Sequence, residues 1–403
     1  MISSMINNND SESNIKPQGN SFQRLIQQVH VLKNLQQLLN DVVECSESIL
    51  EEKLEILLLY IDEIKIQDHF GIYEGFLNLL SHVSLVSLSC INVFTRIRII
   101  LRKLIQENEM STKFQKSTLF SIFCKSKTLL LFLYEEKIID EDKLMEEFMR
   151  TNNKDFYLFF NPEIRKSSTF SLRYEKRLSF TPEEKCYLEM NEEIFNKYRY
   201  DGHSNEKISV IIRNDDIEAF IRYIAEFRDF VFHDQIIKHS FFESNLLINN
   251  NCNLIEYSMA FGAHLIFKYI WMEDKIYSSL SFSIYGGNTE IIQILKLDSL
   301  ERNSKFDLYC SIYSHKNMIT DYILNTLDFP KNIHFIYINS LFSFNYEQIE
   351  QIFQEEFNEN NNFLLKPKVL LKMLEMIPKN MVPFLFVNFY FHNNFDIDMK
   401  HKI

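Results

Sequence analysis

Glycine and proline are both scarce, at seven residues each in a chain of 403. Sandwiches and α/β folds need both at their turns, and phosphate-binding folds need glycine loops, so the shortage favours helices joined by short polar turns. The six cysteines, Cys45, Cys90, Cys124, Cys186, Cys252 and Cys310, lie far apart, with neither a CxxC pair nor zinc-finger spacing. They read as reduced, buried small hydrophobes, which leads us to expect an intracellular, cytoplasmic setting. Long apolar runs are missing too. The longest, Thr128 to Tyr134 and Val382 to Phe391, fall well short of the roughly 20 residues that cross a bilayer, so no membrane span is expected. The polar start MISSMINNNDSESNIKPQGN has no apolar stretch of a secretory signal. Basic residues are outnumbered, 43 Lys and Arg against 55 Asp and Glu, for a formal charge of -12. Phosphate neutralisation needs clustered cations, so general nucleic-acid binding is not expected.

What is present is apolar bulk. Hydrophobic residues make up 46% of the chain, enough to fill a sizeable core. Phe is frequent at 37 and Trp is single, a mixture, with abundant Asn, Ile and Lys, that AT-rich coding DNA produces without selection on the protein. The expected fold is all-α, a helical bundle or solenoid.

Periodicity divides the chain. Residues 1–20 are Asn/Ser-rich and aperiodic and read as a disordered tail. Residues 21–151 read as an all-helical domain of about six helices. Its first stripe is Phe22, Leu25, Ile26, Val29, Leu32, Leu35 and Leu39. Ser48, with Glu51 three residues on, has the pattern of a capping box. Between Ile91 and Ile105 an apolar arc is flanked by Arg96, Arg98, Arg102 and Lys103, read as a solvated face in preference to an anion site. The period is lost in residues 152–181, the expected linker. Thr181, Pro182 and Glu184 then signal a helix start. Residues 358–403, with Pro367, Pro378 and Pro383 around two apolar segments, read as a helical cap.

Residues 182–357 contain a repeat. The stretches Tyr257 to Ile270, Phe282 to Leu295 and Cys310 to Ile323 share one grammar: a short apolar helix, a Gly, Ser or His turn, then an amphipathic helix. The offset is 25 from Ser258 to Ser283 and 28 from Ser283 to Ser311, within the range of solenoid repeats. Weaker copies start at Val210 and Ile338. One helix pair cannot bury its apolar face alone, so the units must stack. Gly262 and Gly287 are expected to end helices in the left-handed conformation. Gly286-Gly287 lacks the preceding strand and the following Lys-Ser/Thr of a phosphate loop.

The run Asn253 to Gly262 followed by Ile266 to Ile270, with Ile211 to Ile221 upstream and Gly287 to Ile292 downstream, resembles the divergent ankyrin-repeat domain of unknown function multiplied in some AT-rich protists. The resemblance covers roughly Ile208 to Leu327. Ser278-Ser279-Leu280-Ser281 stands where an ordinary ankyrin unit has Thr-Pro-Leu-His, and no clear Gly-Ala-Asp tip follows the second helix. The resemblance implies protein–protein interaction on a helical scaffold.

Motifs of chemistry are few. There is no GxSxG elbow and no HExxH, and His233 and His239 are six apart, off the i, i+4 spacing of a zinc helix. No catalytic, cofactor or metal residue is assigned. The candidate interaction residues are Trp271, whose alternative role is packing between units, and His264 and His315 at the inter-helix turns. The expected function is a non-enzymatic scaffold for a protein partner. The alternatives are an enzyme or ligand-binding protein with a site between the two helical halves, and a HEAT-like solenoid throughout.

Overall fold

The structure, a computed structural model, describes residues 18–359 apart from 89–91, 172–174, 228–229, 250–251, 274–278, 300–303 and 327–332, together with residues 385–386. It is all-α, with no strand among the described residues. The expected tail therefore lies outside the described residues up to 17, while 18–20 already belong to the first helix. Most of the expected C-terminal cap also lies outside them.

The N-terminal helices are α1 (Gln18–Glu44), α2 (Leu50–Glu63), α3 (Phe70–Val86), α4 (Val93–Gln106), α5 (Met110–Lys113), α6 (Lys116–Phe123), α7 (Lys127–Glu135), α8 (Glu141–Thr151) and α9 (Lys154–Ile164). The stripe expected on α1 is its buried face, with Phe22, Leu25, Val29, Leu32, Leu35 and Leu39 interior and Ile26 packed at the edge. Ser48 caps nothing. It sits in a short 3-10 turn before α2, and its hydroxyl meets that of Ser46 at 2.9 Å.

Arg96 is buried and does not belong to a solvated face. Its Nη1 donates to the carbonyl oxygens of Val42, Val43 and Cys45 at 2.8, 2.9 and 2.8 Å, and its Nη2 meets Glu47 at 2.8 Å. The last carbonyls of a helix have no partners within it and carry the negative end of its dipole. One guanidinium from α4 thus closes the C-terminus of α1.

Residues 152–181, expected as a linker, contain α9. Phe156, Tyr157, Leu158, Phe159, Phe160, Asn161, Glu163 and Ile164 are all buried. A helix covered on every side needs no polar face, so its sequence shows no 3.6-residue period and periodicity overlooks it. Thr181 does open α10 (Pro182–Leu188) with the capping box predicted from its sequence. Glu163 of α9 pairs with Arg199 of α11 (Glu192–Asp201) at 2.7 Å, both buried.

Five helix pairs follow among the described residues: α12 and α13 (Lys207–Arg213, Ile217–Ala225), α15 and α16 (Leu254–Phe261, His264–Glu273), α17 and α18 (Ser281–Gly286, Thr289–Ser299), α19 and α20 (Ser304–Tyr313, Asn317–Thr326), α21 and α22 (Ile333–Phe342, Tyr346–Glu359). Between the first two pairs runs an insertion that holds the short α14 (Leu246–Asn249). First helices stack on first helices in the order α12, α15, α17, α19, α21, and second helices α13, α16 and α18 stack alongside.

One turn recurs in every pair. Asp215, Gly262, Gly287, His315 and Phe344 have positive φ of 50°, 68°, 70°, 58° and 55°. The residue after this turn donates back to a carbonyl five residues earlier: Asp216 to Ile211, Ala263 to Ser258, Lys316 to Ser311, Asn345 to Ser340. This is the Schellman closure, which satisfies helix-end carbonyls. The accepting position is Ser258, Ser311 or Ser340 in three of the last four pairs, and Ser283 stands at the same position in the fourth, all fully buried. Each hydroxyl bonds a carbonyl of its own helix, at Ile255, Leu280, Leu308 and Ile336, so a small polar residue is satisfied where neighbouring helices approach closely. The approach is tightest at Gly286, where an added Cβ would lie 2.5 Å from the carbonyl oxygen of Met259 and 2.6 Å from that of Ala260.

The two halves are not separate bodies. Buried apolar side chains form one cluster that extends from Phe22 through the helix pairs to Phe386. α1 packs along α22, with Phe22 and Phe353 rings 5.8 Å apart. Gln36 donates to Asn345 at 3.0 Å and accepts from the Glu347 N–H at 3.1 Å, and Lys33 pairs with Glu350 at 2.7 Å. The last pair is covered by the first helix.

Two outcomes test this packing. Gly286→Ala should cost about 2–3 kcal/mol in urea unfolding, because the obstructing atoms are backbone. Arg96→Ala should cost about 2–4 kcal/mol, with Arg96→Lys recovering only part, since an ammonium cannot span three carbonyls and a carboxylate.

Candidate functional site

The sequence points to turns and second helices as the interacting parts, and the three candidate residues meet different fates there. His264 opens α16 at the surface, its side chain 43% exposed and its Nδ1 3.2 Å from Asp215 of the preceding pair. The Asp215 carboxylate also accepts from the N–H groups of Leu265 and Ile266, at 3.1 and 3.0 Å. It thereby caps the N-terminus of α16 from outside that helix. Trp271 is half-buried, lying over Phe267 with ring centroids 6.0 Å apart and planes 18° apart. It packs on its own helix.

His315 is interior and cannot meet a partner at the surface. Its Nε2 is 2.7 Å from the Ser343 carbonyl oxygen in the next turn, so that nitrogen carries the proton. Its ring stacks on His82 of α3, centroids 5.1 Å apart. His82 in turn bonds the Tyr313 carbonyl oxygen through Nε2 at 2.7 Å. Burial, and for His82 the neighbouring ring of His315, lower these imidazoles to about 3 for His82 and about 4 for His315. Both are neutral hydrogen-bond donors near pH 7.

This stack belongs to a seam where α3 lies against the inner side of the helix pairs, at Tyr313, His315 and Tyr346. Gly75 leaves room for Tyr346, whose hydroxyl donates to its carbonyl oxygen at 3.3 Å. Asn245 donates to the carbonyl oxygen of Leu85 at 2.6 Å and to the Tyr285 hydroxyl at 2.8 Å. Further along, the buried Glu243 meets His203 at 2.9 Å. Burial would raise its carboxyl, but His203, the Asn245 N–H and Arg213 hold it below the usual carboxylate value. Lys127 donates to the carbonyl oxygens of Phe241 and Glu243, and burial lowers it to about 8 against the opposing charges of Asp155 and Glu243. These groups are occupied with one another and with backbone, and they join the insertion to the N-terminal helices.

On the outer side of the array, the second helices α16 and α20 present apolar side chains to solvent. Met272 at the end of α16 is 81% exposed and Met318 in α20 is 88% exposed, with Leu265 and Tyr322 also exposed on the same two helices. Sequence periodicity gave no sign of these methionines, because a single apolar residue off the buried stripe looks like noise. His239, whose spacing from His233 does not suit a zinc helix, pairs with Asp155 at 3.0 Å. The side chain of His233 lies outside the described residues. Among the described cysteines Cys252 and Cys310 are buried as expected, whereas Cys186 is exposed. No described helix is long and apolar enough to cross a membrane.

In comparisons with known proteins, no family model, no curated protein and no solved structure matches this chain.

The histidine stack predicts an acid response. The unfolded imidazoles titrate near 6.5, while the folded ones stay neutral to about 4 and 3. Below about pH 6.5 the unfolded state binds more protons, so stability is full above that value and falls as pH drops toward the folded values. His315→Asn keeps a residue that tolerates positive φ and an amide able to donate to Ser343. It should reduce the loss of the urea midpoint between about pH 7 and pH 5 by about half of the two-histidine contribution. An unchanged pH slope would rule the stack out as its source.

Proposed function

We propose that the chain is a non-enzymatic protein–protein interaction scaffold of the divergent ankyrin-like type, working inside the cell. The observation that carries this reading is the exposed apolar set on second helices of a stacked array, Met272 and Met318 above all. Exposed methionine is costly to hydrate and adaptable in shape, and it recurs on surfaces that receive partner proteins. The stacked order of the helix pairs supports the ankyrin-like assignment, as does the recurring left-handed turn.

The alternative, an enzyme or ligand-binding protein with a site between the halves, receives less support. What stands between them is packed: the His82–His315 stack, Tyr346 against Gly75, and Asn245 between Leu85 and Tyr285. In this reading the inner side of the pairs serves the chain's own α3, and recognition falls to the exposed faces of α16 and α20 on the outer side.

Proximity labelling in the native cell tests the proposal. The wild-type chain should mark a reproducible partner set that the double variant Met272→Asp, Met318→Asp loses while its circular dichroism and urea midpoint stay within about 0.5 kcal/mol of wild type. Equal labelling by both chains would count against the outer helices as the recognition face.

A further inference from the structure

The face of α2 beside α4 forms an open groove of about 640 Å³. Leu54 and Leu58 are in its floor and Leu59 on its lip, the last 60% exposed in the middle of a regular helix. Its two ends are closed by ion pairs to α4: Glu47, in the 3-10 turn before α2, to Arg96 at 2.8 Å, and Asp62 of α2 to Lys103 at 2.9 Å. Each end carboxylate is thereby offset by a cation. Glu51 and Glu55, exposed between them, form no ion pair among the described residues. The groove therefore has an apolar floor and an uncompensated acidic rim.

From this combination we infer that the groove is a docking site for a basic amphipathic helix of a partner protein. Leucine-like side chains of the incoming helix cover Leu54, Leu58 and Leu59, and Lys or Arg residues one turn apart meet Glu51 and Glu55, themselves one turn apart. The 14 residues of α2 give a seat about 20 Å long, enough for a helix of roughly four turns. Charge selects this occupant over the others. A second copy would bring the same acidic rim, on a chain of formal charge -12, against itself. Nucleic acid and anionic membrane meet the same repulsion. The inference uses residues of the N-terminal helices alone and is independent of the outer face of the helix pairs.

The test uses the full chain and a dye-labelled, amidated peptide of about 16 residues, with Leu at positions i, i+3, i+4 and i+7 and Lys elsewhere. Two control peptides accompany it: the same residues scrambled off the helical period, and a helical version with Glu in place of Lys. Fluorescence anisotropy should show saturable binding of the Leu/Lys helix that is at least about tenfold tighter than either control. It should weaken by about tenfold or more in Glu51→Lys, Glu55→Lys and in Leu59→Asp, and as salt rises from about 50 to 500 mM. These side chains are exposed, so unchanged circular dichroism separates lost docking from lost folding, and Met272→Asp, Met318→Asp should bind the peptide like wild type. Equal binding by wild type and both groove variants, or by scrambled and periodic peptides, would overturn the inference. So would a dimer in sedimentation velocity that Leu59→Asp dissolves, since that makes a second copy the occupant.

Discussion

The contact between the first helix and the last described pair is the constraint on which the architecture turns. Gln36 reads the final turn in both directions, giving its amide N–H to Asn345 and taking the Glu347 N–H, while Glu350 is held by Lys33 and His30. Buried polar groups tolerate no loss of partners, so these bonds fix one register between α1 and α22. With that register set, α3 has only one place to go. It is enclosed by α1, α4 and α6, with Tyr313, His315 and Tyr346 of the array closing the remaining side, and so almost every residue from Ile72 to Val86 is interior.

A stack of helix pairs normally presents an inner face to something else. Here that something is part of the same chain. The inter-helix turn at His315 and the start of α22 give α3 a set of fitted polar contacts, His315 with His82 and Tyr346 with Gly75, that a transient partner would have to displace. The consequence is a division of surfaces: the side of the array against α3 is architecture, while Met272, Met318 and the α2 groove face solvent.

The parts of the fold that could be read from sequence are those decided locally. The stripe on α1, the capping box at Thr181 and the helix stops at Gly262 and Gly287 depend on residues within a turn or two, and all stand where the pattern put them. Features settled by distant residues escaped. Arg96 finds its carbonyls about 50 residues away, and nothing in Phe94 to Arg98 announces them. The turn before α22 is legible from Asn345, but that its left-handed residue is Phe344 is not. α9 was hidden by its complete burial. Among the candidate residues, His315 was correctly placed in a turn, but its partner His82 lies over 200 residues away, so the sequence suggested a surface where there is an interior.

The pairing of α1 with α22 also sets a timetable. Phe22 and Phe353 come together only after more than 300 intervening residues have been made. At roughly 5–20 residues per second, the ribosome needs between about a quarter of a minute and a minute for that stretch. Throughout this interval α2, α4 and α6 can cover most of α1 and α3, but the parts of both that face the last helix pair are built and still uncovered. Until the last helix pair arrives, that remaining apolar surface has nothing of its own chain to cover it.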